Sequence, residues 1–190
     1  MYIGRYKFAL RNSNGQIHCD DGQPAIDTPI YKAWYKNGKK HRDDGPAEII
    51  YRNGRITSKV WRRNGQLHNN KGAAIVRGNR YITWYKNGKK HREDGPAAIT
   101  PYSKRWYRHG LLHNNKGPAI VDINEKSWYK NGIRHRIDGP AISCRKKLQN
   151  IWIINDTNIT DKVRKWLKLH NNPKIPLNKN YQLLFKLTFL

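Results

Sequence analysis

Six histidines, His18, His41, His68, His91, His113 and His135, recur at intervals of 23, 27, 23, 22 and 22 residues, with acidic or amide side chains close by. Imidazoles in such a set serve elsewhere as metal ligands or as proton acceptors in catalysis. Distance argues against a shared metal. Ligands of one ion lie a few ångströms from each other, whereas equivalent positions in neighbouring copies of a two-stranded repeat lie about 10 Å apart. An enzyme also gathers unlike groups that each occur once, and here the conspicuous residues return in every copy. No glycine opens a helix after a strand in the manner of a phosphate loop. The sequence therefore assigns no catalytic residue, no metal site and no cofactor, and points to a non-enzymatic protein.

The histidines belong to a repeat. WYKNGKKHRDDGPA occupies residues 34–47, WYKNGKKHREDGPA 84–97 and WYKNGIRHRIDGPA 128–141. Between them lie WRRNGQLHNNKGAA (61–74) and WYRHGLLHNNKGPA (106–119), and residues 8–25 form a first copy without Trp. Asn-Gly flanked by aromatic and long side chains signals a hairpin, because a two-residue type I′ turn needs positive φ at both central positions. Counting outward from Asn37-Gly38 sets Lys36 opposite Lys39, Tyr35 opposite Lys40 and Trp34 opposite His41. Trp34 and His41, Trp61 and His68, Trp84 and His91, Trp106 and His113, and Trp128 and His135 are accordingly packing positions of the repeat. Asp-Gly-Pro-Ala supplies a second turn and Ala-x-Ile begins another extended run, which leaves no room for a helix within a copy. One four-residue expansion carries its own Asn53-Gly54 turn. A lone hairpin of this size is unstable. The copies are expected to stack edge to edge into an all-β, single-layer, solenoid-like array of hairpins, about 10 Å per copy and roughly 60 Å long.

The W-x-x-N-G-x-x-H core, on a period near 23 with Gly a few residues later, resembles MORN repeats, whose units read roughly W-x-N-G-x-x-H-G-x-G. The resemblance covers residues 8 to about 155 and is carried by Trp34, Asn37, Gly38, His41 and their counterparts. Arg or Asn follows His where that family has Gly, and Asp-Gly-Pro-Ala is used, so the chain looks like a divergent MORN-like variant of the kind seen in large DNA viruses and some phages. The resemblance implies scaffolding, protein contact or binding to anionic lipid without chemistry of its own, in a host cytoplasm or a virion.

Composition bounds the rest. Of 190 residues only 37% are hydrophobic, below the roughly 45–50% usual for globular chains, so a thin core is expected. Seven Trp and eleven Tyr nevertheless exclude an aromatic-poor disordered polymer. Cys19 and Cys144 are too few for a disulfide scaffold and too far apart in the array to bond, which suits an intracellular, cytoplasmic setting. No export signal is expected in the first ten residues, and no stretch approaches the roughly 20 apolar residues of a membrane-crossing helix. Repeats are assigned to residues 1–155 and a C-terminal cap to 156–190. Trp152 to Asp156 is a decayed seventh hairpin that has lost its Gly. Thr160-Asp161 is expected to cap a short helix over about 161–170, with Val163, Trp166 and Leu167 on one stripe, ended by Asn171-Asn172-Pro173. That stripe either covers the open edge of the last hairpin or, ringed by Lys162, Arg164, Lys165 and Lys168, faces a membrane surface. Residues 174–190 are read as strand or irregular packing.

The formal net charge is +25, with +20 over residues 1–150 and +5 over 151–190, so it belongs to the fold rather than to a tail. Alternate copies carry it. Two residues after the turn Gly the chain reads Lys40, Leu67, Lys90, Leu112 and Arg134, and after His it reads Arg42, Asn69, Arg92, Asn114 and Arg136. Asp44, Asp94 and Asp138 alternate with Lys71 and Lys116 before the second Gly. Lys36, Lys39, Lys40 and Arg42 form one anion-binding cluster; Lys86, Lys89, Lys90 and Arg92 a second; Lys130, Arg134 and Arg136 a third, about 20 Å apart. Such density repels itself unless a polyanion neutralises it. Nucleic acid, held by counterion release with little sequence preference, is the expected partner. The alternatives are a protein-interaction scaffold or structural protein whose charge serves solubility and guards strand edges, and an anionic membrane leaflet. No small-molecule substrate is indicated. Trp and Tyr fall in regular packing slots, so none is assigned to base stacking.

Overall fold

A computed structural model describes residues 10–20, 22–145 and 150–190. The parts of the first copy at 8, 9 and 21, and of the expected repeat region at 1–9 and 146–149, lie outside the described residues. The chain forms two compact units, Met1–Pro101 and Tyr102–Leu190. The expected all-β array of hairpins with a helical C-terminal cap is the fold.

In the first unit the strands Ile26–Asp27, Tyr31–Ala33, Glu48–Arg52, Arg55–Val60, Ile75–Arg77, Tyr81–Thr83 and Ala98–Ile99 pair antiparallel in that order. Each copy contributes the run after Pro-Ala, or after Ala73-Ala74 in the third copy, and the run before the next Trp. At Trp the chain leaves this ladder and makes a separate two-stranded tip around Asn-Gly: Tyr35–Lys36 with Lys39–Lys40, Arg62–Arg63 with Gln66–Leu67, Tyr85–Lys86 with Lys89–Lys90. The edge-to-edge stack therefore exists, but the weaker Ala-x-Ile signal builds it rather than Asn-Gly. Tip strands are only two residues long, too short to carry a ladder. Asn37 and Gly38 have φ of 49° and 74°, as a type I′ turn requires, and Lys36 opposes Lys39 as counted. The expanded copy lengthens its hairpin around Asn53-Gly54 and absorbs a bulge at Ile50/Tyr51.

The array's core is thin, as composition requires. Ala25, Ala47, Ala74, Ala97, Ala119 and Ala141 are fully buried. The carbonyls of Ala47, Ala74 and Ala97 accept the backbone N–H groups of Trp34, Trp61 and Trp84 at 2.8–2.9 Å, so the backbones meet where only a methyl group fits.

The histidines do more than pack. His41 N–H donates to Trp34 O at 3.0 Å, the expected cross-strand pairing. Its ring then reaches the following copy: Nδ1 accepts the Asn64 N–H at 3.1 Å, while Nε2 lies 3.0 Å from an Asp43 oxygen. His18 and His68 accept from Asn37 and Asn87 at 3.0 and 3.1 Å, and in the second unit His113 accepts from Asn131 at 3.2 Å. On the other side of these rings Nε2 lies 2.6–3.0 Å from Asp20, Asp43 or Asn70. The spacing that resembled a ligand set is that of a latch between copies.

The second unit repeats the plan with Ser103–Arg105, Ile120–Asp122, Glu125–Ser127 and Ile142–Cys144 as its ladder. The seventh hairpin is intact. Ile153–Ile154 pairs with Thr157–Asn158, and Asp156 takes the place of Gly with φ of 61°. Ile159 takes the histidine's place: its N–H donates to Trp152 O at 2.9 Å, and its side chain enters the cap core. Helix α1 runs from Thr160 to Leu169. Thr160 does not cap it; its Oγ1 accepts the Trp152 N–H at 3.0 Å and ties the helix to the last hairpin. The stretch read as strand or irregular packing contains a second helix, α2, Lys179–Phe189, started by Asn178, whose Oδ1 accepts from Tyr181 N–H at 3.0 Å. Phe185 is fully buried among Trp152, Ile154, Val163, Trp166 and Leu177, and its ring meets Trp166 at 5.4 Å and 89°. Leu183, Leu184 and Leu187 on the outer side blur the helical stripe, which is why the pattern misled. Val163 and Trp166 are buried in this core, so the stripe that a membrane contact of α1 requires is already used. Among the described residues no helix is long and apolar enough to cross a membrane.

Candidate anion-binding surface

The residue after His closes the Asp-Gly-Pro-Ala turn in one of two ways. Arg42 Nε donates to Asp44 at 2.8 Å with its guanidinium 4.1 Å over the Trp34 ring. Arg92 does the same with Asp94 and Trp84 (2.8 and 4.1 Å), and Arg136 with Asp138 and Trp128 (2.7 and 3.9 Å). In the copies between, Asn69 donates to Ala73 O and accepts the Lys71 N–H, and Asn114 does so with Pro118 and Lys116. The alternation along the sequence is an alternation between two turn locks. Hydrogen bonds from Arg42 and Arg92 hold the carboxyls of Asp44 and Asp94 below the usual aspartate range.

The locks differ in the room they leave. A Cβ on Gly139 would sit 2.7 Å from the Arg136 Cζ, whereas on Gly117 it would sit 3.8 Å from the Asn114 amide. Gly139→Ala is therefore expected to push the Arg136 guanidinium off Asp138 and Trp128 and to destabilise by about 1 kcal/mol. Gly117→Ala should be neutral or stabilising by roughly 0.5 kcal/mol, because alanine restricts the unfolded chain. Urea unfolding of the two variants checks this.

Opposed residues of a tip share a face, so Tyr35 and Lys40 lie on one side and Lys36 and Lys39 on the other. Lys40 turns to Glu48, which also receives Arg62 Nε at 2.6 Å and the Tyr31 hydroxyl at 3.0 Å. Burial pushes Glu48 up, but the hydrogen bonds from Lys40, Arg62 and Tyr31 outweigh it and leave the carboxyl below its ordinary value. Arg134 donates to the Tyr129 hydroxyl at 2.6 Å. Lys90 is half-buried.

The outer faces of the tips keep their charge. Lys36, Lys39, Lys86, Lys89 and Lys130 are exposed, and among the described residues none has a carboxylate within 4.0 Å. Arg63 and Arg108 are exposed in the same position and belong with them. The column just before the tip turn reads Lys36, Arg63, Lys86, Arg108 and Lys130 in copies two to six, where the first copy has Ser13 and the seventh Ile154. Comparing alternate copies hid this column because it does not alternate. Asp43, held low first by its bond with His41, also feels the charges of Arg63 and Lys36. In the first unit the tips interlock: Gly65 N–H donates to Lys40 O at 2.8 Å and Gly88 N–H to Leu67 O at 2.9 Å. Lys39 Cβ and Gln66 Cβ lie against the next turn glycines, at 3.8 and 3.9 Å from where a side chain would begin. Of the expected clusters, then, Lys36 and Lys39, Lys86 and Lys89, and Lys130 and Arg134 lie at exposed tips, while Lys40, Arg42, Arg92 and Arg136 are engaged internally.

Among the described residues no three His, Cys, Asp or Glu side chains gather as a metal ion would need. No protein-family model, curated protein or solved structure matches this chain.

Proposed function

We propose that the chain is a non-enzymatic, MORN-like repeat module that binds nucleic acid through the outer faces of its hairpin tips. The observation that carries this is the division of the cations. Those facing inward each have a built partner, whereas the residue before the tip turn of copies two to six is basic, exposed and, among the described residues, without a bonded carboxylate. Interlocked tips repeating at about 10 Å present Lys36, Lys39, Arg63, Lys86 and Lys89 as a row. Such a row suits the phosphate backbone, which carries one charge per roughly 1.7 Å of duplex, and reads no sequence.

Duplex DNA binding measured against salt tests this. Each phosphate contact adds roughly 0.9 to the slope of log K against log salt. Lys36→Gln, Arg63→Gln and Lys86→Gln together should lower that slope by about 3. An unchanged slope, or equal retention of both proteins on anionic vesicles but not on DNA, overturns the proposal. Exposed Leu183 and Leu187 on α2 and Leu190 at its end favour a second reading, a protein scaffold that contacts its partner through the cap. It requires partner capture to survive tip neutralisation and to be lost when Leu183 and Leu187 become Ser.

A further inference from the structure

Three tryptophans of the array lie under the guanidinium that follows their own histidine; Trp106, with Asn114 in that place, does not, and neither does Trp61. Asn69 stands in that place and spends its amide on the backbone at Ala73 and Lys71. Trp61, half-buried, instead lines a cleft of about 440 Å³ between the Arg42–Gly45 turn of one copy and the Asn69–Ala73 turn of the next. Most polar groups around this cleft are occupied. Asp44 is held by Arg42, Asp43 by His41, and His68 by Asn70 and the Asn87 N–H. Among the described residues the Arg63 guanidinium and the Lys71 ammonium have no carboxylate within 4.0 Å, Lys71 standing where the Arg-locked copies carry Asp44 and Asp94.

An indole and two cations lining one cleft, whose carboxylates Asp43 and Asp44 are paired with His41 and Arg42, suit a ligand that is flat and anionic. An unpaired nucleotide is both: its base stacks on an indole in a sequence-tolerant way, and its phosphates take Arg and Lys. A base inside a duplex is already stacked and cannot enter without unpairing. We propose that this cleft receives an unpaired base of single-stranded nucleic acid, stacked on Trp61, with the adjoining phosphates on Arg63 and Lys71. The inference rests on the tip row as a nucleic-acid surface and adds a preference to it: single strands bind more tightly than duplexes of equal length.

The repeat provides its own test. Asn69→Arg with Lys71→Asp installs the lock of the sister copies and lays a guanidinium over Trp61. The reciprocal Arg92→Asn with Asp94→Lys uncovers Trp84. Affinities for a fluorescent oligo-dT and for a hairpin duplex of matched length are measured for each, alongside Trp fluorescence. The closed variant should bind oligo-dT about tenfold more weakly with duplex affinity changed less than twofold, and should lose the fluorescence quenching that oligo-dT produces in the parent. The opened variant should gain several-fold for oligo-dT. Lys71→Gln, a surface change, keeps the test alive if the closed variant misfolds; it should weaken oligo-dT several-fold and leave the duplex unmoved. Equal losses on both ligands, or no quenching in the parent, overturn the cleft while leaving the tip row standing. Failure of the parent to bind either ligand overturns both.

Discussion

Replacing Glu48 with Gln should cost the fold about 3 kcal/mol at neutral pH, the scale of removing one member of a buried charge network. Glu48 stands in a row with Ala33, Val60 and Ile75, where the corresponding positions of other copies are Ala98, Ile120 and Ile142. Its side chain is 11% exposed and is the counter-charge for both Lys40 and Arg62. Gln keeps the shape and leaves two half-buried cations facing each other without an anion. The pH dependence separates this from a packing defect. Because the folded Glu48 carboxyl lies below its ordinary value of 4.5, its contribution is fully present above that value and is lost as pH falls through the lowered one. Once protonated, the glutamate resembles the glutamine, so the gap between the two proteins should close in acid. At the alkaline end, burial pushes Lys40 down but its bonds to Glu48 and Tyr31 prevail and raise it above 10.5. Its share of the network is therefore present below that value and fades as pH rises through the raised one. Urea midpoints across the pH range check both limbs, and a gap that persists undiminished in acid would assign the loss to packing.

The repeat, its turns and the register at each tip were legible because Asn-Gly has one low-energy solution between short strands, and that solution fixes which residues oppose. The ladder was less legible. Ile75–Arg77 and Tyr81–Thr83 carry only a residue or two of signal each, and their pairing is fixed by neighbours that a linear sequence does not place. Charge misled for a different reason. Arg42 and Lys40 count as two cations in composition, yet Asp44 lies two residues from one and Glu48 eight from the other, and only the fold shows that both carboxylates are reached. Helix α2 was hidden by its outer leucines. Trp61 was hidden by regularity itself, since a residue in a repeated slot is distinguished only by what its neighbours fail to supply.

Reversing charge at two sets of positions should separate binding from folding most sharply. Lys36→Glu, Arg63→Glu and Lys86→Glu lie on exposed strand residues with, among the described residues, no bonded carboxylate, so the stability in urea should stay within roughly 0.5 kcal/mol of the parent. Duplex affinity near physiological salt should fall at least roughly a hundredfold, since each change removes a phosphate contact and adds a repulsion. Arg42→Glu with Arg92→Glu reverses fewer charges and should do the opposite. Each sets a carboxylate beside Asp44 or Asp94 and uncovers an indole that a guanidinium stacks on at 4.1 Å. Loss of the stack and of the charge-assisted bond at both sites should destabilise the fold and lower the melting temperature visibly. If the tip variant stays folded and still binds duplex DNA, the outer row is a solvated face and the cap becomes the surface to pursue. If both sets lose binding equally while folded, charge acts without regard to position, and the division between inward and outward cations has no functional meaning.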